Sequence, residues 1–214
     1  MNENKNKETV FPDLKNAEML INTDCMNYFE LEDYANRRLY INYEITPAVI
    51  DSIVYHILRY NRMDKNIRKE KREPIIIYIN TPGGDVSSGL SLIDAILISE
   101  TPVYTVNLGI CFSMGFLIFL AGKKRFSFPH SEFLMHEGVT TIWDSTTKAK
   151  DRLDFEMNQV EKHIKDFVIS HSKIDDKLYD ARRRIEWYML PEEAKEHGIV
   201  TDIIGIDVSL SDIL

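Results

Sequence analysis

Pro74-Ile-Ile-Ile-Tyr-Ile79, then Asn80-Thr-Pro-Gly-Gly84, then Asp85 to Ser99 is the stretch whose reading settles the fold class. Ile75 to Ile79 is apolar throughout, with no alternation to give it a wet face, so it predicts a central strand covered on both sides. The glycine turn breaks the strand, and beyond it Val86, Leu90, Ile93 and Leu97 recur at helical spacing. The same order then repeats. A β-branched run, Val103 to Leu108, leads through Gly109-Ile-Cys-Phe-Ser-Met-Gly115 into the helix-like run Phe116 to Leu120. Two successive β-turn-α units imply right-handed crossovers and parallel strands, with functional groups gathered at the strands' carboxyl ends. Both turns are expected to face one site.

Toward the N-terminus, Leu39 to Ile45 alternates like a strand, and Thr46-Pro47 is a helix-start pair. The helix that follows, to about Arg59, sets Val49, Ile53 and Ile57 on one face. Arg62 to Glu73 carries dense charge of both signs and reads as a solvated connector. Met1 to Glu8 is almost wholly Asn, Lys and Glu, a composition that cannot bury enough surface to order itself, so it reads as a disordered tail. Toward the C-terminus, Arg125 to Phe128 and Glu132 to Met135 read as short strands. A long amphipathic helix is expected over Thr146 to Ser170, with Leu153, Met157, Val160, Ile164 and Phe167 near one stripe that serves as core or as partner surface. A helix around Asp176 to Arg184, another over Pro191 to His197 closed by Gly198, and a last strand from Ile199 to Ile204 complete the pattern.

The 214 residues can bury a substantial core in one domain, and neither repeats nor a linker marks a second. A net charge of −8 argues against an electrostatic grip on nucleic acid or an anionic membrane. Cys25 and Cys111 form no CxxC motif, and the longest apolar run, Phe116 to Ala121, is far short of the roughly 20 residues that span a bilayer. A reducing cytoplasm is the expected location, and no metal or cofactor motif stands out. No GxxxxGK[ST] sequence is present for ATP.

Ser113 sits where strand gives way to helix, so free backbone N–H groups surround its hydroxyl and can stabilise a negatively charged oxygen. Small-x-Ser-x-Gly patterns are common, and alone this one also fits a serine that merely starts a helix. A serine nucleophile needs a base, and six histidines compete. His56 and His163 fall within helical patterns, His171 and His197 near helix ends, and His130 in a turn. His136 ends the apolar strand Phe133-Leu-Met135 and precedes Glu137-Gly138, so it should emerge at a strand end. Histidine is suited to proton shuttling near neutrality.

Asn80-Thr-Pro-Gly-Gly-Asp-Val86, Phe112-Ser-Met-Gly115, Lys124-Arg-Phe126, Met135-His136 and Pro191-Glu-Glu-Ala-Lys-Glu-His-Gly198, in that order, resemble the proteolytic subunit of the Clp protease (ClpP), a serine peptidase family. The resemblance covers about Arg37 to Ile204. It implies a ClpP/crotonase-type α/β fold with a parallel sheet core and a long protruding handle helix, and divides the chain into an N-terminal extension, 1–36, and a peptidase domain, 37–214. It implies Ser113 as nucleophile, His136 as general base and Glu186 in the position where the family usually carries an aspartate. The backbone N–H groups of Gly84 and Met114 would form the oxyanion hole; Pro82 has no N–H to donate. Tyr78 matches a position lining the groove where the ATPase partner docks, though the usual neighbouring aromatic is Ile76 here. Phe112 and Phe116 flank Ser113 where the family tends to carry small side chains.

The implied activity is hydrolysis of unfolded polypeptide through an acyl-enzyme, inside stacked heptameric rings of this chain fed by an AAA+ unfoldase. Asp180 and Asp202 are rival acids to Glu186. Two other functions stand beside this one: a catalytically degenerate ring subunit, which Phe112 and Glu186 favour, and an acyl-CoA-processing enzyme of the crotonase type, for which the Ser113 and His136 pair would be surplus.

Overall fold

In the computed structural model, residues 25–139 and 141–213 are described; the tail expected over Met1 to Glu8 lies outside them. Strand and helix alternate as the two β-turn-α units predict. The elements are α1 (Cys25–Ala35), β1 (Arg38–Ile41), α2 (a π-helical turn Ile50–Val54 running into Tyr55–Met63), β2 (Ile75–Thr81), α3 (Val86–Ile98), β3 (Val103–Phe112) and α4 (Met114–Leu120). After them come β4 (Lys124–Ser127), β5 (Glu132–Met135), α5 (Thr146–Phe155) continuing through a π turn (Glu156–Val160) into α6 (Glu161–His171), α7 (Asp176–Arg182), β6 (Trp187–Met189), α8 (Pro191–Glu196) and β7 (Asp202–Ile203).

Five strands pair in parallel in the order β1-β2-β3-β4-β7. β2 is central and covered on both faces, as its unbroken apolar run predicts: Ile75, Ile77 and Ile79 enter the main core, while Ile76 and Tyr78 enter a smaller cluster on the opposite side. A fully buried side chain of this kind contributes about 1.5–3 kcal/mol relative to an exposed one. β3, ten residues long, is accompanied by β2 as far as Cys111 but outruns β4, whose pairing stops at Asn107. Its last residues, Ile110 to Phe112, pair instead with β5, which carries the antiparallel β6 on its far edge. The sheet therefore splits at its carboxyl end, and the split brings the end of β3 beside the end of β5.

Four expectations need adjusting. Leu97 is 44% exposed, because α3 packs between α2 and α4 through Ser88, Gly89, Leu92, Ile93 and Ile96, a face rotated from the stripe read in the sequence. The connector after Arg62 is not wholly solvated. Asp64 is fully buried, gripped by both guanidinium nitrogens of Arg37 at 2.6 Å and by the Thr101 hydroxyl at 2.7 Å. Burial alone would raise the Asp64 carboxyl, but these donors outweigh it and hold it below the usual carboxylate range. The last strand shrinks to Asp202–Ile203, since Ile199 and Val200 fill the core from a loop. β6, three residues long, has no counterpart in the sequence reading.

The long helix does run from Thr146 to His171 with π-helical winding in its middle. Its stripe divides: Leu153 and Met157 stand exposed, with Phe155 exposed between them, whereas Ile164 and Phe167 pack on the core. North of Arg37, α1 lies against α2, with the Tyr60 hydroxyl donating to the Tyr34 carbonyl at 2.8 Å and the Tyr34 ring stacked on His56.

Candidate active site

Ser113 occupies the single residue between β3 and α4. Its backbone sits at φ 53°, ψ −118°, a region L-residues rarely adopt, and holding it there costs about 1–3 kcal/mol. A sharp strand-to-helix turn of this sort lifts a side chain clear of the sheet. The turn is fixed from both sides, by the Ser113 N–H donating to the Leu134 carbonyl at 2.9 Å and by α4, all seven of whose residues are buried.

Gly83 and Gly84 form the opposite wall. A Cβ on Gly83 (φ 101°) would lie 2.8 Å from the Phe112 carbonyl oxygen and from Ser113 Cβ, so only glycine lets the two turns approach this closely. Gly84 (φ 140°) forms a parallel bridge with Ile45, in which the Ile45 N–H donates to the Gly83 carbonyl at 2.7 Å and the Asp85 N–H to the Ile45 carbonyl at 2.8 Å. That pattern spends the groups on either side of Gly84 and leaves its own N–H over. No hydrogen bond among the described residues engages the N–H of Gly84 or of Met114.

His136 follows β5 directly, and the pairing of β5 with β3 sets it beside Ser113. Ser113 and His136 line one cavity, walled by Val86, Phe116, Leu117 and Met135 and by Ile164 and Val168 of α6. The hydroxyl and the imidazole are not hydrogen-bonded to each other in this arrangement; such bonds are often loose before substrate arrives. No other histidine lines the cavity. His56 is stacked on Tyr34, His171 bonds the Phe167 carbonyl, and His197 meets the Trp187 ring edge-on.

The acids are arranged differently. Glu186 is exposed, just before β6, and accepts a hydrogen bond from the Tyr188 hydroxyl at 2.9 Å. It does not line the cavity, and neither do Asp180, paired with Lys165, or Asp202 in β7. Glu161, on the first turn of α6, does line it. Burial pushes the Glu161 carboxyl above the usual range, while the Arg183 guanidinium 3.6 Å away pulls it back. Sequence reading passed Glu161 by because no local motif marks it; its place in the cavity wall arises only when α6 packs on α4.

The sequence profile of the Clp protease family matches residues 26–207. The chain belongs to the Clp protease family. It is 30% identical over 177 residues to the ATP-dependent Clp protease proteolytic subunit 2 of Prochlorococcus marinus, covering 79% of this chain and 82% of that protein. It is equally similar to proteolytic subunit 1 of Bacillus cereus, with 79% and 85% covered, and 26% identical over 171 residues to proteolytic subunit 2 of Treponema pallidum, with 78% and 82% covered.

Several residues that carry the Clp likeness also hold the fold together. The Arg125 guanidinium donates to the carbonyls of Gly122, Gly198 and Ile199, so Lys124-Arg-Phe126 and the Pro191 to Gly198 helix are clasped together. Tyr78 is nearly buried, stacked on Tyr40 with ring centres 4.9 Å apart. Phe112 points away from the cavity and packs edge-on against Tyr188, whereas Phe116 is fully buried in the cavity wall. Among the described residues no helix is long and apolar enough to cross a membrane, and no cluster of side chains could hold a metal ion.

Proposed function

We propose that this chain is a serine endopeptidase subunit that hydrolyses unfolded polypeptide. The observation that carries the reading is the strained Ser113 turn, which shares its cavity with His136 and lies beside two unengaged backbone donors, Gly84 and Met114. In the reaction Ser113 Oγ attacks the scissile carbonyl carbon while His136 takes the hydroxyl proton. The oxyanion forms against the N–H groups of Gly84 and Met114. His136 returns the proton to the leaving amine, an acyl-enzyme remains, and water activated by the same imidazole releases it. Glu186 orients His136 after giving up the Tyr188 hydroxyl. Glu161 is a second reading for that role, favoured by its place in the cavity wall.

The relatives are named as ATP-dependent proteolytic subunits; this sequence has no P-loop motif, so on this reading ATP hydrolysis belongs to a separate unfoldase. The exposed Leu153, Phe155 and Met157 of the long helix suit ring assembly, since large apolar side chains gathered on one exposed segment mark contact surfaces; a cytoplasmic location is part of the same reading. The test is turnover of short fluorogenic peptides by the assembled protein. We expect slow cleavage that Ser113→Ala removes by about 10⁶-fold, the scale on which loss of a serine nucleophile is felt. Cleavage that survives Ser113→Ala overturns the assignment.

A further inference from the structure

The recess that adjoins both Ser113 and His136 is almost filled by the protein itself. Its free volume is about 40 Å³, room for a few water molecules when about 10–15 Å³ admits one, and well under the ~150 Å³ that takes a benzene ring. Phe116 is one reason. It is 0% exposed, stands three residues after Ser113 on α4, and lines the recess together with Val86. Leu117 of α4 and Ile164 and Val168 of α6 add apolar wall, as do Met114, Met135 and Tyr179, and all of these belong to or pack on the main core and cannot retreat freely.

An acyl group on Ser113 Oγ carries its side chain on the carbon bonded to the reacting carbonyl carbon. With the carbonyl oxygen held by backbone donors, that substituent has to be accommodated beside the hydroxyl and the imidazole, where this recess opens. Resting on the serine-peptidase reading, we infer that Phe116 is a specificity-determining residue and restricts cleavage to bonds that follow a small side chain, alanine or serine. A branched or aromatic side chain at that position has to displace the Phe116 ring or stay out of the recess, and it loses the reactive alignment either way.

The experiment measures kcat/KM of the assembled protein on fluorogenic peptides identical except for Ala, Leu or Phe immediately before the cut. Alanine is expected to exceed leucine by about tenfold or more, the size of discrimination that one or a few methylenes produce in a tight pocket, with phenylalanine slowest. Phe116→Leu, which trims the ring without emptying the core, should shift the alanine-to-leucine ratio toward leucine by about tenfold. Leucine cut as fast as alanine by the unmodified protein overturns the inference even if the variant fails to fold. An unchanged ratio in a folded Phe116→Leu overturns it as well. If the hydrolase reading itself is at fault the pattern differs: no peptide is cut and Ser113 takes up no fluorophosphonate, which removes both.

Discussion

The Ser113 turn and the loop that begins at His136 meet at one cavity, yet they are held very differently. Ser113 closes a ten-residue strand, its N–H is tied to β5, and the helix after it is buried along its whole length. The glycines opposite are locked to Ile45 by two hydrogen bonds. From His136 to Val139 there is no regular structure, Glu137 to Val139 are exposed, and the segment is tied to the body by hydrogen bonds of the Glu137 N–H to the Arg183 carbonyl at 2.6 Å and of the Gly138 backbone to the Glu161 carboxylate. Glu186 stands in solvent with Tyr188 as its partner, amid exposed Ile185 and Leu190. The half of the site that would stabilise charge is built into the strand-helix scaffold. The half that would move the proton is assembled from surface pieces.

The largest test of that contrast lies in the loosely held half. On the leading account Glu186→Ala lowers peptide turnover by about 10⁴-fold, as loss of the orienting acid does in known Ser-His-Asp enzymes, while Glu161→Gln retains most activity. The reverse pattern, measured on assembled protein of each variant, would transfer the role to Glu161. Activity unaffected by both would mean that His136 needs no carboxylate here.

A smaller effect is expected in the rigid half. Gly84→Ala sets a Cβ 2.3 Å from the Ile45 carbonyl oxygen, so the strand must shift and its N–H moves off the oxyanion position. Loss of one such donor costs about 10² to 10³ in kcat. Stopped-flow acylation should register it as a slowed first step with the Ser113 adduct still formed; acylation at the normal rate would remove Gly84 from the mechanism.

The same contrast governs what could be read in advance. β2 and its turn were legible because an apolar run ends abruptly at proline and glycine, and the placement of His136 followed from β5 being short and apolar; β3 was legible only to Leu108, and it runs on through Gly109 to Phe112 because its last residues find a partner in β5. The strain at Ser113 was not legible, since φ at a serine is imposed by the docking of β5 and α4 rather than by its neighbours in the chain. The buried Asp64 and Arg72 hid inside a charge run that looked solvated, and β6 is too short to show periodicity. Glu161 reaches the site across 25 residues of sequence from His136, a separation no local pattern spans.

Labelling with a fluorophosphonate, followed by mass-spectrometric mapping of the adduct, tests the central claim most directly. A strained serine beside unengaged backbone donors and a histidine should be the residue that reacts. The account predicts one adduct, on Ser113, lost in Ser113→Ala while the fold and the assembly persist, because removing a hydroxyl at a helix start costs about 1 kcal/mol at most. An adduct on another serine, or labelling that persists in Ser113→Ala, would contradict it.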